Sequence, residues 1–172
     1  MQSFEFYRSY TASEAYGIHA MRFDFDDVED FAVVMQHNWL LKRWNQPTAQ
    51  ANLYAGLGGG YGEAGDGGGS LAGLGYARFD YETRRIYTAL DCKFFGSSDF
   101  TRAVSTASIG FAPYKAEFDD LNTWLILKAE HVSESGEDIA LIPEVRFFWK
   151  NYFLEFGVST DGEFRTFFMV HF

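Results

Sequence analysis

The chain has little cysteine, little positive charge and no long apolar run, and each shortage excludes something. A single cysteine, Cys92, removes a disulfide framework and a CxxC-type zinc site. Fourteen Lys and Arg against twenty-four Asp and Glu give a net charge of −10 and a pI near 4.7. A chain so poor in cations cannot neutralise a run of phosphates, so no nucleic acid is expected as a partner. Hydrophobic residues make up 47% and aromatic residues 19% of the chain, yet no window reaches the roughly 18 uninterrupted apolar residues of a transmembrane helix. Apolar and polar residues must therefore be interleaved, in keeping with a mean hydropathy of −0.18. The opening Met1-Gln2-Ser3-Phe4-Glu5-Phe6 lacks a basic n-region and an apolar h-region. The chain reads either as cytosolic or as a mature form with an added Met, and the pattern further along favours the second. Its 172 residues fit one domain.

What is present is strict alternation, broken by turn-rich segments. The alternating runs are 16–25, 33–42, 50–61, 71–82, 86–95, 102–112, 121–132, 139–149, 152–160 and 164–172. Most approach the roughly 9–11 residues with which a tilted strand crosses a bilayer. They predict an all-β fold, an antiparallel up-and-down barrel of ten strands over 16–172, or eight if one of the short hairpins is loop. Residues 1–15 are left as an N-terminal segment, and both chain ends fall on one side of the barrel.

One face of these runs carries Met21, Phe23 and Phe25, then Val33, Met35, Trp39 and Leu41, and continues through Leu53, Phe79, Leu90, Ile109, Leu127, Leu141 and Phe156 to Phe172 with no ionisable Asp, Glu, Lys or Arg. The opposite face carries Arg22, Lys42, Arg78, Lys93, Lys128, Arg146 and Arg165 with Asp24, Asp80, Glu82, Asp91, Glu130, Glu144 and Glu155, whose charges sum to zero. Two barrels fit: a soluble lipocalin-like carrier with the apolar face inside, or a transmembrane barrel with that face toward lipid. Trp39, Trp44, Trp124 and Trp149, joined by Tyr81, Tyr87 and Tyr152, fall at one rim, as an aromatic girdle would. Breaks at the other rim are acidic and hold no Lys or Arg, whereas Arg43, Arg84, Arg85, Lys115 and Lys150 sort to the girdle side.

Two segments carry a resemblance. The last run, Phe164-Arg165-Thr166-Phe167-Phe168-Met169-Val170-His171-Phe172, ends on an aromatic with apolar residues at alternate positions before it, and Asn52-Leu53-Tyr54-Ala55-Gly56-Leu57-Gly58-Gly59-Gly60-Tyr61 is glycine-rich. In these the chain resembles the small outer-membrane β-barrels of Gram-negative bacteria. The resemblance implies a location in the bacterial outer membrane with the girdle side periplasmic. It also implies outer-membrane lipid and lipopolysaccharide as surroundings, the barrel-assembly machinery as a partner in biogenesis, and a monomer.

Function is expected to be a non-enzymatic surface, structural or binding role, and the lumen is expected to be largely plugged, because equal numbers of lumen cations and anions suit interlocked ion pairs better than a selective filter. Two constellations offer alternatives. If the break 26–30 is a five-residue turn, His19 faces His37 and Met21 faces Met35, a set of imidazole and thioether ligands suited to copper. His131 and Ser133, with Glu144 downstream, are similar to the outer-membrane lipid A deacylases, in which Ser is the nucleophile, His the base and Glu the orienter. Alternation places Glu144 on the lumen face.

Overall fold

The computed structural model describes residues 1–172 except 26–27, 66–67, 118, 134–138 and 172, with the backbone alone at 25 and 28. The alternating segments become strands β1 (Gln2–Ser9), β2 (Glu14–Phe25), β3 (Val28–Gln46), β4 (Ala49–Glu63), β5 (Gly69–Thr83), β6 (Ile86–Gly96), β7 (Thr101–Phe111), β8 (Asn122–Val132), β9 (Ala140–Trp149), β10 (Tyr152–Val158) and β11 (Phe164–Val170). They close into one barrel, in the order β1-β11-β10-β9-β8-β7-β6-β5-β4-β3-β2. Strands consecutive in sequence pair antiparallel, and the ring is sealed by a parallel pair in which β1 lies beside β11, from Ser3 opposite Arg165 to Arg8 opposite Val170.

The strand count is thus eleven, not ten or eight. The missing strand comes from residues 1–15, which are not a separate segment. In β1, Phe4 and Phe6 point outward while Tyr7 and Ser9 are buried inward, the same period of two as elsewhere. With an odd number of up-and-down strands the first and last must run in the same direction. Met1 and His171 therefore lie at opposite ends of the barrel, which corrects the expectation that both termini share one side.

The end that holds the β2–β3, β4–β5, β6–β7, β8–β9 and β10–β11 connections carries Glu29, Glu63, Asp99, Asp161 and Glu163, and is called the acidic end below. The other, the tryptophan end, holds Arg84, Arg85, Lys115 and Lys150 in its turns.

The first hairpin departs most from its expected register. The β2–β3 connection has only two residues between strands, and Met21 pairs with Ala32, His19 with Val34, Ile18 with Met35 and Tyr16 with His37. Relative to the expected pairing this is a shift of three, and an odd shift moves a strand's side chains to the opposite face. Met21 and Phe23 are buried inside, while Arg22 and Asp24 face outward and pair with each other, Arg22 also with Glu29. The physical reason is that the barrel's acidic end is filled with apolar side chains, so the apolar half of β2 is needed within. Alternation fixes which residues share a face but not which way that face points.

A second departure lies in β3. Leu40 pairs with Tyr54 but Lys42, two residues on, pairs with Leu53, so Leu41 is an extra residue in a bulge. Past the bulge the faces exchange: Lys42 turns outward over the Trp44 ring, and Arg43 turns inward, its Nε donating to Asn52 Oδ1 at 2.8 Å. The expected lumen position of Lys42 is thereby corrected, with Arg43 in its place.

Where the inward glycines of β4, Gly56, Gly58 and Gly60, meet β3 there is no room for a side chain. A Cβ on Gly60 would overlap the Val33 carbonyl oxygen and sit 2.7 Å from the Val34 Cα, whereas one on Gly75 meets nothing within 4 Å. Gly60→Ala is expected to cost about 1–3 kcal/mol by overpacking against backbone, and Gly75→Ala to stay within about 0.5 kcal/mol. Denaturant titration of the two variants side by side checks this.

Outside, the barrel is apolar. Between the two rims the outward positions carry Ile18, Met35, Leu57, Phe79, Leu90, Phe94, Ile109, Leu127, Leu141, Leu154 and Phe156, all solvent-exposed, with Met35 at 72% and Leu57 at 65%. Among the described residues, outward charges occur only toward the ends, as at Arg22, Asp24 and Glu29 on one side and Arg8 and Lys42 on the other. Trp44, Trp149, Tyr81 and Tyr152 point outward at the tryptophan end. Trp124 and Tyr87, expected among them, are instead buried inside, rings 6.3 Å apart.

Candidate functional site in the barrel interior

The interior is built in three layers, each from inward positions of neighbouring strands. At the acidic end Met21, Phe23, Ala32, Val34, Leu74, Phe95, Phe100, Val104 and Val132 pack into one buried apolar cluster with Met1. Arg102 and Asp30 sit at its edge, Nη2 donating to Oδ2 at 2.6 Å.

The middle layer is a network of ion pairs reaching across the barrel. Lys128 lies 2.7 Å from Glu144 and 3.0 Å from Glu155, and Arg146 Nε donates to Glu155 Oε1 at 2.6 Å. Arg165 reaches Glu130 at 2.8 Å, Arg78 reaches Asp91 at 3.2 Å and Asp80 at 3.3 Å, and Lys93 pairs with Glu5 of β1. The Arg146 guanidinium also stacks 4.0 Å above the Tyr87 ring centre. The space left among these groups is a cavity of about 70 Å³, room for a few waters. Of the lumen residues expected from sequence, Arg78, Asp80, Asp91, Lys93, Lys128, Glu130, Glu144, Arg146, Glu155 and Arg165 meet here; Glu82 lies nearer the tryptophan end, and Arg22 and Asp24 lie outside the wall. Glu5, Asp30 and Arg102 were missed. The signal for Glu5 was the alternation of Phe4, Glu5 and Phe6, which marks a strand however short.

The third layer is open. A cavity of about 730 Å³ begins above Glu5 and Arg78 and reaches the turns of the tryptophan end. Its two walls differ. On β3, β4 and β5 it is lined by Arg43, Asn52, Tyr54, Tyr76, Asp80 and Glu82. The β9–β11 wall, half a circuit away, presents Phe148, Phe153, Phe167 and Met169 together with Arg146 and His171. Asn52 links the polar wall together, donating to Asp80 Oδ1 at 2.7 Å while it accepts from Arg43.

The four expected copper ligands do not converge. His19 and Met21 face the interior, His19 against the Phe95 ring at 5.4 Å with Glu5 Oε1 3.6 Å from its Nε2. Met35 and His37 face outward, His37 stacked on Tyr16 at 4.2 Å and 2.9 Å from the Tyr10 hydroxyl. The register of β2 on β3 is the cause, since its odd shift from the expected pairing sends the two strands' candidate ligands to opposite faces. Among the described residues no group of three or more His, Cys, Asp or Glu is placed to hold a metal ion. The deacylase-like set is also divided. His131 is exposed outward, the Ser133 hydroxyl accepts the Ala103 backbone N–H at 2.8 Å at the acidic end, and Glu144 is buried inside beside Lys128. A nucleophile, base and orienter must lie in hydrogen-bond sequence, and the barrel wall separates these.

No protein-family model matches the chain, and no curated protein or solved structure is similar to it, so the interior geometry and the outer surface are what bear on function.

Proposed function

We propose that the chain is an integral outer-membrane β-barrel of a Gram-negative bacterium, non-enzymatic and shut to conduction, whose open cavity is a binding vestibule facing the periplasm. One observation carries the reading: the barrel is apolar outside between its rims, while the middle of its interior is a layer of ion pairs. A soluble carrier of the lipocalin kind requires the reverse, and soluble monomers rarely leave more than a few hundred Å² of contiguous apolar surface in water. At about 3.4 Å per residue and a tilt of about 40°, the outward stretch from Phe31 to Trp39 rises roughly 20 Å, near the roughly 25 Å apolar band of such barrels. The outward Trp and Tyr residues at one rim suit a membrane interface. The odd strand count departs from the even numbers usual in bacterial barrels, so the Gram-negative assignment rests on the C-terminal strand and the girdle.

In this reading the acidic end meets lipopolysaccharide, and the apolar cluster and ion-pair layer together close the lumen. Purified protein should need detergent and migrate differently on gels before and after boiling; in planar bilayers it should give at most small, infrequent conductance steps. Full solubility without detergent would reject the membrane assignment, and large steady openings would reject the closed lumen.

A further inference from the structure

Of the charged side chains on the β3–β5 wall of the vestibule, Arg43 and Glu82 form no ion pair among the described residues, and Glu14, Arg84 and Lys115 around its mouth form none either. Arg78 is held by Asp80 and Asp91, Arg146 by Glu155, and Glu5 by Lys93. Arg43 has only neutral side-chain hydrogen-bond partners, Asn52 and Tyr54, and Glu82 makes no ion pair among the described residues. Arg43 is inward only because of the bulge at Leu41; regular alternation would point it away from the cavity. A bulge that re-aims one side chain into a cavity is a recurrent device at binding sites. Across the cavity stand the rings of Phe148, Phe153 and Phe167, with His171 beside Phe148 and the Arg146 guanidinium, already paired with Glu155, over Phe153.

We infer that the vestibule binds a small zwitterion with an aromatic side chain, of the chemistry of an aromatic amino acid or a short peptide. The ligand carboxylate sits on Arg43 as a charge-assisted pair, its ammonium on Glu82, and its ring against the phenylalanine wall. A simple anion would meet Arg43 but also Glu82 and Asp80, and a simple cation would meet Glu82 but also Arg43; only a ligand with both charges satisfies both side chains. The cavity of about 730 Å³ lies within the roughly 300–1,000 Å³ usual for small-ligand sites and exceeds what one amino acid fills. The inference rests on the reading of the vestibule as a blind binding site.

The test is calorimetric titration of the detergent-solubilised barrel with phenylalanine, with the dipeptide Phe-Phe, and with three controls: N-acetyl-Phe-Phe, which keeps only the carboxylate, Phe-Phe amide, which keeps only the ammonium, and Gly-Gly, which has no ring. Phe-Phe is expected to bind at least tenfold more tightly than either blocked form, and Gly-Gly to give no heat. Phenylalanine binding as tightly as Phe-Phe would assign the site to amino acids; weaker binding would assign it to peptides. Arg43→Ala should make Phe-Phe bind no better than its amide, and Glu82→Gln should make it bind no better than the N-acetyl form. Both positions lie outside the middle ion-pair layer, and unchanged gel mobility of each unboiled variant establishes that the barrel is closed. The inference is overturned if Phe-Phe gives no heat at millimolar concentration, if the blocked forms bind as well, or if both variants bind like wild type. Conductance of the wild type, measured separately, reports on the closed lumen and not on this site.

Discussion

Replacing Glu155 by alanine is expected to remove about 3–5 kcal/mol of stability, the usual cost of taking one partner from a buried ion pair. The expectation sits at the high end because Glu155 serves two cations at once, Lys128 at 3.0 Å and Arg146 at 2.6 Å, all three inside the barrel. Alanine leaves both cations facing each other in a space with room for little water. Glutamine keeps an acceptor and should lose less. The comparison is Asp24→Ala: its partner Arg22 is 3.6 Å away on the outer surface and both side chains are about half exposed, so the change should stay within about 0.5 kcal/mol. Alternation alone would have put Asp24 and Glu155 on the same lumen face with similar costs. Urea titration of the three variants, followed by the β signal in circular dichroism, separates the two arrangements, and a loss below about 1 kcal/mol for Glu155→Ala would mean the middle layer is hydrated and open.

The second large effect belongs to the outer surface. Leu127 stands near the middle of β8, points outward between Ile109 and Pro143 of the neighbouring strands, and is 45% exposed. If hydrocarbon surrounds it, Leu127→Arg should cost about 2–4 kcal/mol when the barrel is unfolded from liposomes, as expected for a cation near the bilayer midplane. In water the same substitution at a half-exposed site would change stability by no more than about 0.5 kcal/mol. A value near zero would therefore count against the membrane reading without touching the ligand proposal, which depends only on the interior.

How much of this was legible in the sequence follows from what a period of two can carry. Alternation from Tyr16 onward identifies strands because successive side chains point to opposite faces, and the absence of charge from one set and its balance on the other identify two environments. That was enough for an all-β closed barrel and for most of the interior ion-pair residues. It was not enough for β1, whose eight residues gain partners only where β2 and β11 both lie beside them, a parallel closure between residues at opposite ends of the chain.

Parity was the second thing hidden. Met21 with Arg22 alternates equally well with either residue inside, and the choice was made by the apolar cluster that Phe95, Val104 and Val132 build from distant strands. The same holds for Leu41, where one extra residue reverses the faces beyond it and brings Arg43 opposite Phe148 and Phe153; nothing local distinguishes that leucine from its neighbours. The sequence by itself determined strands, their two-faced character and a closed sheet, since these depend on neighbours one and two residues apart. Only the tertiary structure decided the eleventh strand, the direction of each face and the convergence of Arg43, Glu82 and the phenylalanines, because register, closure and bulges are properties of pairing between strands.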